Sequence, residues 1–214
     1  MTGGVKIKAI TGFPLFDVTQ NNFSEGEKNI KLTIDKLASF FLLLFLSPLY
    51  LYLMIRIKRD SEGSVFIKQE RIGYFGKPFL MYKFRTMRKD AEKNGPTLSS
   101  ENDERVTPFG QIMRKYRMDE LPQFWNVLKG EMSLVGPRPE RPELIRSFKH
   151  EIPHYNARHT VKPGITGWAQ VNGLRGDTDL TERVRHDLYY MEHWNVLFDL
   201  QTMFLTFCKH KNAH

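Results

Sequence analysis

The stretch LASFFLLLFLSPLYLYLMI, Leu37 to Ile55, is a nearly unbroken apolar run in a chain of 214 residues, and its reading decides the architecture. At about 1.5 Å per helical residue it is just long enough to cross the hydrocarbon core of a bilayer. Ser47 and Pro48 fall near its middle, where proline removes a helical hydrogen bond and bends the rod. Cations flank both ends, Lys28, Lys31 and Lys36 before it and Arg56, Lys58, Arg59 and Lys68 after it. Lys and Arg are retained on the cytoplasmic side, so both ends prefer that side. A kinked span and a re-entrant hairpin dipping into one leaflet both satisfy these residues.

Upstream, residues 1–30 are polar and lack a secretory signal; Gly3, Gly4, Asn21, Asn22, Ser24 and Gly26 suggest a mobile arm. Residues 31–59 form the membrane hairpin on the re-entrant reading, and 60–214 the remaining domain. The chain is 41% hydrophobic and 26% charged, enough for one substantial core. A formal net charge of +8 argues for anionic partners such as lipid head groups, phosphorylated substrates or nucleic acid. A lone Cys208 excludes an intramolecular disulfide and a Cys-rich zinc site.

Beyond the apolar run, Ser64 to Gly73 and Phe79 to Met87 read as two strands joined by a Gly76-Lys77-Pro78 turn. The segment Gly73 to Lys77 is too short for a P-loop and lacks the Ser or Thr after Lys. Strand alternation puts Lys83 and Arg85 on one face, solvated or lining a site. Residues 88–106 are a polar loop; its Asp103 is read as solvated rather than as a metal ligand. Thr107 and Pro108 then start a helix with Phe109, Ile112, Met113 and Tyr116 on an apolar face, leaving Arg114 and Arg117 off it. Pro122 suits the first turn of a further helix, placing Asp119 and Glu120 where the positive end of the dipole favours anions. The pair reads either as plain capping residues or as carboxylates held ionised to bind a metal or attack phosphorus. Downstream, Lys129-Gly130 is a helix stop, and Pro137 and Pro139 stiffen the chain around Arg138, presenting one guanidinium suited to bidentate phosphate recognition or simply a surface arginine.

Three segments, Asp119 to Gln123, Asn126 to Gly130 and Met132 to Pro139, together resemble the bacterial sugar transferase family, the monotopic polyprenyl-phosphate hexose-1-phosphate transferases. Lys83 and Arg85 lie in a shared Tyr-Lys-Phe-Arg-Thr-Met signature, and Tyr155 to Gly173 matches as well. The resemblance covers roughly residues 30–209 and includes no preceding bundle of transmembrane helices, which marks the small, monotopic type. It implies an α+β, mainly helical fold with a re-entrant helix-break-helix at Ser47 and Pro48 and a compact catalytic domain on the cytoplasmic face of the inner membrane. Lys31 and Asp35 match a basic-pair-and-Asp pattern for phospholipid contact, but Leu32 stands where the second basic residue is usual.

The implied reaction transfers a sugar-1-phosphate from a UDP-sugar to undecaprenyl phosphate, releasing UMP through a covalent aspartyl intermediate and initiating exopolysaccharide or glycoconjugate synthesis. By motif position Asp119 is the nucleophile and Glu120 holds Mg2+, while Arg114, Arg138, Lys83 and Arg85 border the substrate phosphates. Anionic phospholipids are implied partners, nucleic acid is not, and a homodimer is permitted. A membrane-bound metal-dependent phosphohydrolase and a non-enzymatic basic binding protein stand as alternatives. No residue reads the sugar; the resemblance leans to glucose or galactose.

Towards the C-terminus, Pro142 to His150 reads as a helix and the glycines around Pro163 as close-approach turns, with Trp168 as an amphipathic rim. The histidines show no metal-ligand spacing. A helix starts near Asp179 with Leu180, Val184, Leu188 and Met191 on one face, and Trp194 to Cys208 is apolar on most sides, either core or an interfacial helix.

Overall fold

The structure, a computed structural model, describes residues 8–10, 13–15, 24–91, 103–143, 145, 152, 155–176 and 178–208. Most of the expected arm, the middle of the 88–106 loop and most of the helix expected over 142–150 lie outside the described residues. The fold is α+β and mainly helical. A two-stranded ladder, β1 (Lys8–Ile10) with β2 (Phe13–Leu15), precedes the helices.

α1 (Glu25–Phe45) opens on a capping box in which Ser24 and Glu27 satisfy each other's backbone amides. α2 (Ser47–Asp60) follows after one residue, and the two axes bend by 62°. The break has a local cause. Pro48 has no N–H to donate to the Leu44 carbonyl four residues back, and the Ser47 hydroxyl donates to that carbonyl instead, at 2.8 Å. No single described helix is long and apolar enough to cross a membrane, although the bent pair together meets that length and composition. α2 returns to the domain. Leu53 and Ile57 bury against Val65, Phe84, Phe109 and Met113, and the Tyr50 hydroxyl donates to the Leu121 carbonyl at 2.6 Å.

β3 (Phe66–Ile72) and β4 (Pro78–Phe84) form the expected antiparallel hairpin, with Phe66 opposite Phe84 and Ile72 opposite Pro78. α3 (Pro108–Lys115) is capped by Thr107, whose hydroxyl accepts the Gly110 amide at 3.0 Å. Its apolar face is wider than the core it meets: Phe109 and Met113 are buried, whereas Ile112 and Tyr116 are exposed. α4 (Gln123–Lys129) is tied to β4 by the buried Asn126, which accepts the Tyr82 amide and donates to the Leu80 carbonyl. The main core gathers Met81 of β4 and Val127 of α4 with Met132, Leu134, Val135, Tyr190 and Met191 from later in the chain.

β5 (Ser133–Val135) pairs in parallel with β6 (Gly164–Thr166). The approach is so close that a Cβ on Gly164 would clash with the Gly136 amide nitrogen, which bears out Gly164 as a close-approach position, whereas Gly173 meets nothing and instead takes a positive φ of 85°. α5 (Trp168–Val171), α6 (Leu180–Glu192) and α7 (Val196–Cys208) complete the chain. Trp168 is not a free rim residue; its ring packs 4.8 Å from Phe198 on the edge of the main core. α6 is capped by Asp179, near which the helix was expected to start, with Val184 and Met191 buried.

Two helices carry polar groups inwards and a row of large apolar side chains outwards. α1 buries Asp35 and Ser39 while exposing Leu37, Phe40, Phe41, Leu44 and Phe45. α7 buries Asp199 and Thr202 while Leu197, Leu200, Phe204 and Phe207 face outwards. Both inner carboxylates are partnered: Lys31 reaches Asp199 at 2.5 Å, Tyr190 donates to the same carboxylate at 2.7 Å, and Asp35 accepts the Leu134 amide at 3.3 Å. Lys31, matched by resemblance to a phospholipid contact, is thus spent on an internal ion pair.

Candidate active site

α3 ends at Lys115 with Tyr116 as its C-cap, and Arg117 takes the left-handed conformation, with φ of 54°, before a single 3-10 turn over Met118–Glu120. A non-glycine residue held there costs about 1–2 kcal/mol. The reversal throws Asp119 and Glu120 back across β4 instead of into the start of α4. The N-cap of α4 is Pro122, which makes no side-chain cap bond, so the dyad does not serve as capping residues. Glu120 takes cations instead. One carboxylate oxygen, Oε1, accepts from Lys83 Nζ and from Arg138 Nη2, each at 3.0 Å.

These groups open into a cleft of about 350 Å³ whose lining includes Lys83, Arg114, Arg117, Asp119, Glu120 and Arg138. The structure therefore assembles Asp119, Glu120, Arg114, Arg138 and Lys83 from α3, β4, the turn and the loop after β5. Arg114 is braced by its Nε donating to the Thr86 hydroxyl at 3.0 Å. Arg85 is not brought there. Strand alternation stops when β4 ends at Phe84, and the Arg85 guanidinium turns to the end of α2, donating to the carbonyls of Ser61 at 2.5 Å and Ser64 at 2.6 Å. Asp103 is not solvated as expected but paired with Arg105 at 2.6 Å. Ser47 and Pro48 sit at the hairpin break, not in the cleft.

The two carboxyls are tuned in opposite directions. Burial, then the adjacent Glu120 charge, push Asp119 up to about 6 despite Lys83 and Arg114. Burial also opposes ionisation of Glu120, but Arg138 and Lys83 outweigh it and hold that carboxyl far below the usual range. Near neutral pH the site thus keeps one firmly ionised carboxylate and one poised to hold or lose its proton. Arg71, Arg141 and Arg175 line the same cleft and went unread in the sequence. Arg71 is drawn down to about 10 by burial and by Arg138 beside it, and it donates to the Pro139 carbonyl at 3.0 Å. Arg141 had a legible signal, its position directly after the Gly-Pro-Arg-Pro-Glu run; Arg71 and Arg175 arrive from distant elements.

Among the described residues no group of three metal-ligating side chains converges. The oxygen pair Asp119 and Glu120 is nevertheless a hard donor set, and Mg2+ is commonly held by one or two carboxylates together with substrate phosphates. An acidic pair walled by arginines and a lysine in an α+β domain makes a cleft whose charges suit phosphorylated groups. Sequence comparison supplies the family: residues 26–212 match the description "Bacterial sugar transferase", and the chain belongs to that family. It is 44% identical over 179 residues to a UDP-N-acetylgalactosamine-undecaprenyl-phosphate N-acetylgalactosaminephosphotransferase of Aeromonas hydrophila, covering 83% of this chain and 42% of the relative. It is 39% identical over 208 residues to the UDP-glucose:undecaprenyl-phosphate glucose-1-phosphate transferase of Escherichia coli (strain K12), covering 95% and 45%. A shorter relative, the exopolysaccharide production protein PSS of Rhizobium leguminosarum bv. phaseoli, is 40% identical over 185 residues, covering 83% and 92%. The chain thus spans less than half the length of the first two relatives.

Proposed function

We propose that this chain transfers a sugar-1-phosphate from a UDP-sugar to undecaprenyl phosphate, releasing UMP, as the first step of an exopolysaccharide or glycoconjugate. The observation that carries the proposal is the oppositely tuned Asp119–Glu120 pair inside a cleft walled by Lys83, Arg114, Arg117 and Arg138. Ionised Asp119 attacks the phosphorus that bears the sugar; the bond to the UMP phosphate breaks and UMP leaves with that oxygen. A phosphate oxygen of undecaprenyl phosphate then attacks the same phosphorus, forming the lipid diphospho-sugar and freeing Asp119. Arg114 and Arg138 stabilise charge on the transferred phosphoryl oxygens. Glu120, held by Lys83 and Arg138, would with Asp119 offer the oxygens for Mg2+, which would neutralise the diphosphate. A carboxylate is a weak nucleophile, so positioning and electrostatics carry most of the rate.

The acceptor is a lipid, and the inverted amphipathicity of α1 and α7 supports a membrane setting. A helix that buries Asp and Ser and exposes Phe and Leu suits hydrocarbon outside it. The 62° break supports a re-entrant hairpin, with the catalytic domain and both flanks at the cytoplasmic face of the inner membrane. Lys28, Lys36, Arg56, Lys58 and Arg59 flank it and suit anionic head groups. Relatives named for glucose and for N-acetylgalactosamine match at similar identity, so family membership does not select the sugar. The test is a panel of UDP-sugars with vesicles containing undecaprenyl phosphate. UMP and a lipid diphospho-sugar in equal amounts are expected; free sugar phosphate without a lipid product would identify a hydrolase instead.

A further inference from the structure

Behind the cleft lies a cluster of four buried charges that the proposed chemistry does not use: Glu140, Arg158, Arg183 and Asp187, each at most 7% exposed. Arg158 is its hub. One guanidinium nitrogen donates to Asp187 at 2.7 Å and to the backbone carbonyl of Arg138 at 3.0 Å, while the other reaches the Tyr155 hydroxyl at 3.3 Å. Arg183 pairs with Glu140 at 3.0 Å and donates to the Gly176 carbonyl at 2.7 Å. Desolvating charges costs several kcal/mol per ion, and apolar side chains of similar volume often serve stability as well or better. Bulk packing is therefore a poor account of this cluster.

The loop it contacts gives a better one. Four successive carbonyls each accept from a fixed donor: Pro137 from the Gly164 amide at 2.9 Å, Arg138 from Arg158, Pro139 from Arg71, and Glu140 from the Ile72 amide at 3.0 Å. Proline fixes φ at residues 137 and 139, and Pro139 also restricts the residue before it. The direction of the Arg138 carbonyl reports that residue's ψ, which the prolines narrow but do not set. Arg158 holds that carbonyl, and the side chain leaving the same backbone reaches Glu120 at 3.0 Å.

We propose that Arg158, anchored by Asp187, is a positioning residue that fixes the Arg138 backbone so that its guanidinium meets Glu120 and the transferred phosphoryl group. The inference rests on the phosphate role proposed above for Arg138. Lysine at position 158 keeps one charge but loses the planar guanidinium, whose second nitrogen reaches Tyr155 and whose rigid plane aims the first at Asp187 and the Arg138 carbonyl together.

The experiment is a double-mutant cycle between Arg158→Lys and Arg138→Ala, read as kcat and KM for a UDP-sugar and as thermal unfolding in the same detergent. Arg158→Lys alone should lower kcat roughly ten- to hundred-fold with little change in KM, the size expected of a small misplacement. On the Arg138→Ala background it should have almost no further effect on kcat, while its effect on unfolding temperature stays the same. An equal kcat loss on both backgrounds, or none on either, overturns the positioning role and leaves the role of Arg138 standing. If Arg138→Ala leaves kcat unchanged, the phosphate role fails and the positioning role falls with it. Should Arg158→Lys not fold, the near-isosteric Asp187→Asn goes through the same cycle with the same outcomes.

Discussion

Replacing Lys31 with Met deletes one half of the ion pair that joins α1 to α7. Asp199 then retains the Tyr190 hydroxyl at 2.7 Å but loses the ammonium at 2.5 Å. Both side chains are largely shielded, at 14% and 12% exposure, so a stranded carboxylate here costs about 3–5 kcal/mol, as for other buried pairs broken from one side. For a domain of this size each kcal/mol moves the unfolding midpoint by about 2–4 °C, which gives a fall of roughly 6–20 °C. Removing both charges with Lys31→Met and Asp199→Leu leaves no stranded ion and should recover most of the loss. The assay is thermal unfolding of wild type, the two single variants and the double variant in one detergent. Singles within about 2 °C of wild type, or a double variant no better than the worse single, would refute the claim that this pair pins the hairpin.

Three further outcomes follow from the same geometry. Arg117→Gly relieves the left-handed backbone at φ 54° and, after the entropy cost of glycine, should stabilise by about 0.5–1 kcal/mol in denaturant unfolding while lowering turnover, because a cleft cation is lost. In metal-free protein, NMR titration should find Asp119 ionising near pH 6, and Glu120→Gln should shift it downward by removing a like charge. A carboxyl raised on folding favours the native state most below its ordinary value of about 3.9, and that contribution disappears as pH rises through about 6, the pH above which the attacking carboxylate is available. Pro48→Ala restores a donor to the Leu44 carbonyl and should straighten the hairpin towards spanning, so cysteine labels near Gly4 and Arg59, expected on one side of the membrane in wild type, should report opposite sides in the variant.

The break at Ser47-Pro48 and the β3–β4 hairpin were legible because each rests on local chemistry: a missing proline donor and a Gly-Lys-Pro turn between alternating strands. The dyad was legible as a motif, yet its geometry was not. Pro122 predicts a helix N-terminus for it, whereas the left-handed Arg117 turns it towards Lys83 and Arg138. Arg85 was misplaced because alternation was carried one step beyond the end of β4. Arg71, Arg158 and Arg175 come from elements far apart in the chain, and only tertiary packing brings them near Arg138. One overlooked signal was available: Asp199 stands inside the apolar segment 194–208, a sign that this helix buries a polar group.

The most direct test of the central claim uses donor without acceptor. Purified protein with UDP-sugar and Mg2+, but no polyprenyl phosphate, should release about one UMP per active site and gain a phospho-sugar mass on the peptide containing Asp119; Asp119→Asn should do neither. UMP release that waits for the lipid, with no adduct trapped under acid quench, would contradict the account and place the transfer in a single ternary complex.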